Sequence, residues 1–459
     1  MVQRDVLSLS LYTYDLFSMN RQLDITDFLD HDYAGASLYM SYRSIANVVD
    51  GLKPSQRKVI YTLRKKNLTT ETKVSSLASL VALQTQYLHG EASMQGVIEN
   101  MAQSYTGSNN IPLLSPEGNF GTRLLPEPSA PRYIYTKMSK NLDLLFRRED
   151  DPILIGQIFE GDEIEPRYYV PVLPMLLVNG ARGMGVGYAQ NILPRNPETL
   201  RKSIRLLLEG RKPLSLVPWY RGFTGTIQQA DRPGVWKVCG TIERMTKTRL
   251  KIVELPIGYS LQQYLKVLRG LQESKTIRSY RDLSDPREDR FLFTVDVPRE
   301  FLEHDDRWIL EQLGLVLRET ENLTCFDENN MIHSFSSPEE ILEYYVKIRL
   351  QYYIIRKRKQ IETLSLEIDR LKNTIRFIRE VNEGVLVLSN KTRLDLEGEL
   401  KSRGYARYSD RYDYLTTMPV LNLTQEKLES LISKKEELEL EKKKLEEKTE
   451  RELWLDEIG

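Results

Sequence analysis

The chain has 459 residues, 65 basic and 65 acidic side chains, and a hydrophobic fraction of 41%. At roughly 150 residues per domain, this length predicts about three folded units rather than a single core. No apolar run approaches the roughly 18 residues of a membrane span and the N-terminus has no secretory signal pattern, so we expect a soluble, cytoplasmic protein without a membrane partner.

The first predicted elements are two helices, the second of which lies in a basic segment. Residues 24–42 have a helical pattern with Thr26 as the N-cap, and Pro54 begins the second helix. Between Lys53 and Lys73 the sequence has seven basic residues and a single acidic one. This segment is either a DNA-facing surface or a solvated helix face, and composition alone leaves both interpretations open.

Two further helical patterns follow at residues 74–88 and 94–105, so three short helices are joined by tight turns. This arrangement suits a helix-turn-helix or winged-helix unit, but it suits many other small helical domains equally. Residues 106–135 are rich in Gly, Pro, Asn and Ser, which indicates an exposed loop of the kind that often carries function.

After residue 151, strand-like segments predict a second, α/β unit. From Ile361 onward, isoleucines and leucines alternate at intervals of three and four as in a heptad seam, and a second charged helix begins near Thr424. We expect the two helices to pair antiparallel and to carry the intervening globule at their tip. That globule is either a homodimer contact or the end of an inert spacer.

Five sequence strings in this order resemble the DNA-gate half of type IIA DNA topoisomerases. They are RSIANVVDGLKPSQRKVIYT from Arg43, YLHGEAS from Tyr87, GNFGTR from Gly118, APRYIYTKMS from Ala130 and LLVNGARGMGVGYAQNILP from Leu176. The likeness extends from about Thr26 to Trp454. The strings NVVDGLKPSQRKV, GSNN and PRYIYTKMS resemble the eukaryotic and phage branch more than gyrase. Within the family, the chain looks most like the medium subunit of T4-like bacteriophage enzymes.

The resemblance implies an α+β multidomain fold. Its parts are a winged-helix DNA-binding domain, an α/β tower domain, and a long antiparallel coiled coil with a small helical dimerisation gate. The expected bounds are 1–42 for an N-terminal extension and helix contacting the partner subunit, 43–150 for the winged-helix domain with the catalytic tyrosine, 151–337 for the tower, 338–383 and 422–459 for the coiled-coil helices, and 384–421 for the gate.

The resemblance assigns the role of nucleophile to Tyr133, which by itself is one of 25 tyrosines and more typical of a packing side chain. In that role, its phenol would attack a DNA phosphate and form a 5′-phosphotyrosyl link, which conserves the bond energy for resealing. A free phenol is only about 0.1% ionised near pH 7, so a phenolic nucleophile needs assistance. We expect Arg132 to hold the scissile phosphate with its planar cation.

The same comparison gives supporting roles to Arg43 and His89. A guanidinium holds the phosphate, and an imidazole donates a hydrogen bond to it or assists proton transfer. Leu88 stands where the family has His or Pro, so the role of that position is lost or unneeded here. Without the motif, His89 is equally a helix-terminal residue satisfied by the backbone.

Four further residues are expected to contact DNA. Lys53, Arg57 and Lys58 match the basic positions of the family's DGxKPxxRK string and are expected to bind phosphates. Met184 stands where the family usually has an isoleucine that wedges between base pairs and bends the duplex. The alternative of a dinucleotide loop at GARGMGVG is weak because the glycines do not form GxGxxG.

We expect no metal site on this chain. The two cysteines lack CxxC spacing, the four histidines are scattered, and the acidic string EGDE at residues 160–163 falls where the family has a variable loop. Phosphoryl transfer of this kind generally uses Mg²⁺, so acidic ligands should come from elsewhere.

No ATP-site motif occurs in the sequence either, so the resemblance implies a polypeptide whose partner carries the ATPase and the acidic metal-binding (TOPRIM) modules. Mg²⁺ and ATP would bind mainly to that partner. The chain would form a homodimer within a heterotetramer or larger complex that acts on double-stranded DNA during replication, in the host cell cytoplasm if the gene is of phage origin.

Two alternatives remain at this stage. A non-catalytic coiled-coil protein that clamps or bends DNA is compatible with the departures at Leu88 and Met184. A tyrosine recombinase or relaxase also forms phosphotyrosyl links, but the dispersed Arg and His residues and the long arm fit it poorly.

Overall fold

The computed structural model describes residues 24–388, 391–408 and 410–459. The first 23 residues of the predicted N-terminal extension therefore lie outside the described residues, as do positions 389, 390 and 409 of the predicted gate. Among the helices of the described part, none is long and apolar enough to cross a membrane.

The N-terminal part consists of five helices, and the first two are joined by a π-helical segment, Phe28–Tyr33. The helices are α1 (Ile25–Asp27), α2 (Ala34–Ser44), α3 (Pro54–Lys65), α4 (Val74–Thr85) and α5 (Glu91–Ala102). The first N-cap is Asp24 rather than the predicted Thr26, because the Asp24 carboxylate accepts a hydrogen bond from the Thr26 amide at 2.7 Å. Pro54 begins α3 as predicted.

A small antiparallel sheet packs beside these helices. Its strands are β1 (Thr72–Lys73), β2 (Leu114–Glu117) and β3 (Tyr135–Met138), in the order β1-β3-β2. Val59, Ile60 and Leu63 form the buried face of α3, as their spacing predicts. This face and the strand residue Leu114 belong to the first and most extensive hydrophobic core.

The region after β3 alternates strands and short helices. It contains α6 (Lys140–Leu145), β4 (Gln157–Phe159), β5 (Asp162–Ile164), α7 (Met175–Asn179), β6 (Ala181–Met184), β7 (Ala189–Ile192), α8 (Pro197–Leu208), β8 (Thr226–Gln229), β9 (Val235–Cys239), β10 (Thr241–Thr246), β11 (Arg249–Glu254), α9 (Leu261–Glu273), β12 (Ser279–Asp282), β13 (Phe293–Asp296), α10 (Asp306–Gln312), β14 (Val316–Thr320), β15 (Thr324–Phe326) and β16 (Ile332–Ser334). Two sheets, β10-β11-β13-β12 and β14-β9-β8, accompany the hairpins β4-β5, β6-β7 and β15-β16. The structure is thus a mixed helix and sheet fold, as predicted.

The predicted boundary between residues 150 and 151 does not separate two cores. Tyr168, Leu176 and Ile204 pack into the same core as the N-terminal helices. The second core begins later in the chain and is built around the four-stranded sheet, with Leu250, Phe293 and Leu315 among its buried residues. Hydrophobic packing therefore joins residues 168–216 to the part of the chain that carries Tyr133.

Two long helices form an arm. They are α11 (Pro338–Asn382) and α14 (Gln425–Glu447), and between them lie α12 (Arg393–Ser402) and α13 (Asp413–Thr416). The long helices run antiparallel: Lys357 Nζ donates to the Lys448 carbonyl at 2.6 Å near one end, and Asn382 Nδ2 donates to the Leu423 carbonyl at 2.9 Å at the other. The globule between them has its own small core, which includes Phe377 and Tyr412.

The chain does not continue as one helix beyond α14. A break at Lys448 separates it from α15 (Glu450–Ile458), which folds back onto the first core. Trp454 is completely buried there and donates from Nε1 to the Val172 carbonyl at 3.0 Å. The base of the arm is therefore fixed to the N-terminal part at two places, through the start of α11 and through α15.

A buried ion-pair network strengthens this junction. Arg349 of α11 donates to the Asp150 carboxylate at 2.8 and 3.1 Å, and both side chains are at most 3% exposed. Arg356 joins the same carboxylate to Glu457 of α15. Three segments distant in sequence thus share one set of buried charges, whose attraction is weakened little by solvent.

Candidate active site

Tyr133 lies on a tight turn that directly precedes β3. Its amide donates to the Ala130 carbonyl at 2.9 Å, and its side chain is 69% exposed. The neighbouring side chains anchor the turn, because Ile134 and Thr136 are buried. The phenol is therefore exposed to solvent on an anchored turn.

Arg132 lies on the same turn and is also exposed. Its guanidinium carbon is 5.1 Å from the centroid of the Tyr133 ring. The structure thus brings the predicted nucleophile and its predicted phosphate-binding cation together.

The start of α4 holds this turn in place. The Val74 amide donates to the Ile134 carbonyl at 3.1 Å, and the Ser75 amide donates to the Pro131 carbonyl at 3.3 Å. Lys73 pairs with Tyr135 in the sheet, and its exposed ammonium lies 6.0 Å from the Tyr135 ring centroid. Lys73 is a cation near the turn that sequence reasoning counted but did not single out, since strand pairing between residues this distant is invisible in a single sequence.

Arg43 and His89 are brought together by a third residue, Tyr39 of α2. The Tyr39 hydroxyl lies 2.8 Å from Nε2 of His89, and the Arg43 guanidinium carbon lies 5.8 Å from the Tyr39 ring centroid. Burial lowers the pKa of His89, and the positive charges of Arg43 and Lys58 lower it further. The lowered pKa favours the neutral imidazole. The side chain of His89, rather than only the backbone, is engaged.

The structure places Arg57 inside the protein, which corrects its prediction as a phosphate-binding residue. Its side chain is 2% exposed, and Nε and Nη2 donate to the Asp50 carboxylate at 2.7 and 3.1 Å. Nη2 also donates to the Leu52 carbonyl at 3.0 Å. Arg57 fixes the turn before α3 and has no surface to offer a nucleic acid.

Lys58 is also engaged within the protein, contrary to its prediction as a phosphate-binding residue. Its ammonium donates to the Thr85 carbonyl at 2.7 Å and lies 2.9 Å from the Glu165 carboxylate, and its side chain is only 14% exposed. Burial raises the pKa of Glu165, while the Lys58 charge opposes that shift. Lys58 therefore ties α3 to the segment after β5 and acts on the site through its charge.

The acidic string EGDE forms the turn and second strand of the β4-β5 hairpin, which lies against α3 and α4. The Tyr61 hydroxyl donates to the Glu163 carbonyl at 3.0 Å, and Gln86 donates to the Asp162 carboxylate at 3.1 Å. Glu160 and Gly161 occupy left-handed turn positions. Within the described residues there is no group of three or more His, Cys, Asp or Glu side chains that could hold a metal ion.

Met184 lies at the end of β6 and is 83% exposed. The hairpin β6-β7 rests on α2, where the Val186 amide donates to the Ser41 hydroxyl at 3.2 Å. A Cβ at Gly183 would overlap the Ser44 carbonyl oxygen, so this glycine serves close backbone approach. The segment is a hairpin rather than a strand-to-helix turn, which removes the dinucleotide-loop alternative.

Lys53 stands beside the same hairpin. Its ammonium donates to the Arg182 carbonyl at 2.8 Å, and partial burial lowers its pKa. Both residues line an open groove of about 680 Å³ that also contains Ser108 and Asn109 of the GSNN string. Of the three predicted phosphate-binding residues of α3 and its N-cap, Lys53 alone lines this groove.

Comparison with known proteins adds three findings. The family of A-type subunits of DNA gyrase/topoisomerase IV matches residues 43–459. The chain is 35% identical to a mitochondrial DNA topoisomerase 2 of Dictyostelium discoideum, over 95% of this chain and 34% of that protein, and 32% identical to DNA topoisomerase 2 of Saccharomyces cerevisiae, over 95% of this chain and 34% of that protein. The chain thus spans about a third of the length of these relatives.

A crystal structure of the DNA-binding, cleavage and re-ligation domain of Plasmodium falciparum topoisomerase II has a similar fold, with a TM-score of 0.86 and 33% identity. The similarity covers 94% of this chain and 63% of that one.

Proposed function

Because the chain belongs to the DNA gyrase/topoisomerase IV family of A-type subunits, among the type IIA topoisomerases, we propose that it cleaves and rejoins duplex DNA through Tyr133. The observation that carries this proposal is an exposed tyrosine on an anchored turn with an arginine beside its ring. Two copies would make a transient double-strand break through which a second duplex passes, with ATP hydrolysis driving the cycle.

In the proposed reaction, the Tyr133 oxygen attacks phosphorus and loses its phenolic proton. The bond from phosphorus to the 3′ oxygen breaks, and that oxygen takes up a proton to become a hydroxyl, so no proton is gained or lost overall. Resealing reverses each step, because the phosphotyrosyl ester retains the energy of the broken bond. Arg132 and Arg43 would bind the non-bridging oxygens, whose charge must be stabilised as phosphorus becomes five-coordinate; removing one such donor costs about 100- to 1000-fold in rate. Neutral His89 would donate a hydrogen bond or accept a proton near the phosphate.

The proposed DNA surface contains fewer basic residues than the sequence segment from Lys53 to Lys73. It consists of Lys53 and the exposed lysine at position 73 for the phosphates, and of Met184 for insertion between base pairs. Arg57 and Lys58 would support this surface from inside.

We assign the remaining parts by their shape. The helices α3–α5 with the small sheet would form the winged-helix domain, α11 and α14 a coiled coil, and the globule at residues 384–421 the dimerisation gate. The tower proposed at residues 151–337 would share the first core up to residue 216 and have its own core around the four-stranded sheet. The N-terminal helix would contact the partner subunit, and its exposed Ile25 and Leu29 support this role.

The described residues do not fit a Mg²⁺ site, because they contain no group of three or more His, Cys, Asp or Glu side chains that could hold a metal ion, and the Asp162 carboxylate of the acidic hairpin accepts from Gln86. We propose that Mg²⁺ and ATP bind to the TOPRIM and ATPase modules of a partner within a heterotetramer or larger complex. The proposed kinship to the medium subunit of T4-like phage enzymes, and a role in replication in the host cytoplasm, depend on the sequence strings alone, since the relatives compared above are eukaryotic.

The decisive experiment replaces Tyr133 with phenylalanine in the reconstituted enzyme and measures covalent protein-DNA adduct. We expect no adduct, since the attacking oxygen is gone. The matched control is Tyr135→Phe, which removes a hydroxyl that is also exposed, two residues away, and should leave the adduct unchanged. Adduct formation by Tyr133→Phe would overturn the assignment, and DNA bending without any adduct in the unmodified protein would favour the non-catalytic clamp.

A further inference from the structure

Tyr39 contacts two residues of the proposed site, although the proposed reaction gives Tyr39 itself no role. It is 42% exposed on α2, its hydroxyl is within hydrogen-bond distance of Nε2 of His89, and its ring lies beside Arg43. It therefore touches both supporting residues of the proposed site, from a position 50 residues before His89.

His89 has a defined set of neighbours. Tyr39 and Arg43 face it from α2, Tyr87 packs edge-on against its ring at a centroid distance of 5.3 Å, and Lys58 of α3 acts on it through its charge. The hydroxyl of Tyr87 is turned elsewhere, since it donates to Ser93 Oγ at 3.2 Å. Among the residues that the structure describes, Tyr39 is thus the hydrogen-bond partner of the His89 ring.

The neighbouring position increases the importance of this contact. Leu88 is 67% exposed and its side chain is apolar, so that side chain offers the site no hydrogen bond. The orientation of the imidazole then depends on Tyr39, because a ring nitrogen held by one partner leaves the other nitrogen in a fixed direction and tautomer.

We propose that Tyr39 is a positioning residue for His89, whose hydroxyl donates to Nε2 of the neutral imidazole and leaves Nδ1–H as the donor toward the DNA phosphate; this inference rests on the proposed function. Tyr39 does not touch the reacting atoms. It acts by selecting the tautomer of His89 and by holding the imidazole in place, while its own ring lies beside Arg43.

The test compares Tyr39→Phe with Tyr87→Phe. Both variants remove one hydroxyl from a ring next to His89 and keep the ring itself, so the contact with Arg43 survives in Tyr39→Phe. In the full chain labelled with ¹⁵N-histidine, His89 is assigned by loss of its signal in His89→Gln. Tyr39→Phe is expected to raise the pKa of His89 by about half a unit to one unit, because the neutral form loses a hydrogen bond. Tyr87→Phe should leave that pKa unchanged.

The second measurement is the rate of adduct formation by the reconstituted enzyme as a function of pH. Tyr39→Phe should reduce the rate near neutral pH by about 2- to 10-fold and move the acidic limb of the profile upward with the pKa of His89. An unchanged or lowered pKa, or equal effects of the two variants, would overturn the inference. Adduct formation by Tyr133→Phe would instead overturn the proposed function, while the titration would still decide whether Tyr39 sets the state of His89.

Discussion

The position of Arg57 gives a prediction that separates protein stability from DNA affinity. Replacing Arg57 with glutamine leaves the fully buried Asp50 without its guanidinium, although the amides of Leu52 and Tyr169 still donate to it at 3.0 and 3.1 Å. Removing one partner of a buried ion pair costs about 3–5 kcal/mol, because the other charge stays buried and uncompensated. We expect this loss in the free energy of unfolding.

Urea unfolding followed by far-UV circular dichroism measures this loss as a lower midpoint with an unchanged slope. The double variant Asp50→Asn/Arg57→Gln is expected to be less destabilised than Arg57→Gln alone, because it buries no unpaired charge. Lys53→Gln is the surface control, and its effect on stability should stay below about 1.5 kcal/mol, the contribution of an ordinary hydrogen bond.

DNA binding under conditions where both single variants are folded completes the test. Loss of one phosphate contact lowers the slope of log K against log salt by about 0.9, and we expect this for Lys53→Gln but not for Arg57→Gln. A reduced slope together with native stability for Arg57→Gln would refute the assignment of Arg57 to the interior.

Three further predictions concern the hairpin, the wedge and the arm. Gly183→Ala should lift the β6-β7 hairpin off α2 and reduce adduct formation, whereas Gly96→Ala, where a Cβ meets no atom, should stabilise α5 by about 0.5–1 kcal/mol in thermal unfolding. Met184→Ala should reduce DNA bending measured by end-to-end fluorescence transfer, and an unchanged bend would exclude the wedge role. Deleting residues 384–421 should give monomers at micromolar concentration in analytical ultracentrifugation, and a stable dimer would contradict the gate.

Local patterns predicted the helices well. The apolar face of α3 follows from helical spacing, and the heptad seam marks the side of α11 that packs on α14, because each pattern lies in residues close in sequence. The single helix predicted at residues 422–459 was wrong at Lys448, where the chain turns so that Trp454 reaches the core. A local signal marks this break, because Thr449 caps α15 and forms a capping box with Glu452.

The burial and pairing of the basic residues were predicted less well than the helices. The basic segment looked free, although it has acidic partners that lie outside it: Asp50, which pairs with Arg57, precedes the segment, and the Glu165 carboxylate that engages Lys58 lies 107 residues further along the chain. The motif identified Tyr133, Arg132, Arg43 and His89 as candidates, but it did not reveal Tyr39, whose relation to His89 arises only when α2 folds onto the loop before α5.

The docking of α15 also determines when the protein can finish folding during synthesis. Trp454 fills a site beside Val172, a residue made 282 positions earlier, and its ring stacks on Tyr353. Until the ribosome has released α15, the growing chain keeps an apolar cleft at the foot of the arm open to solvent. We therefore expect nascent or prematurely terminated chains to depend on chaperones, and the mature fold to appear only after translation of this helix.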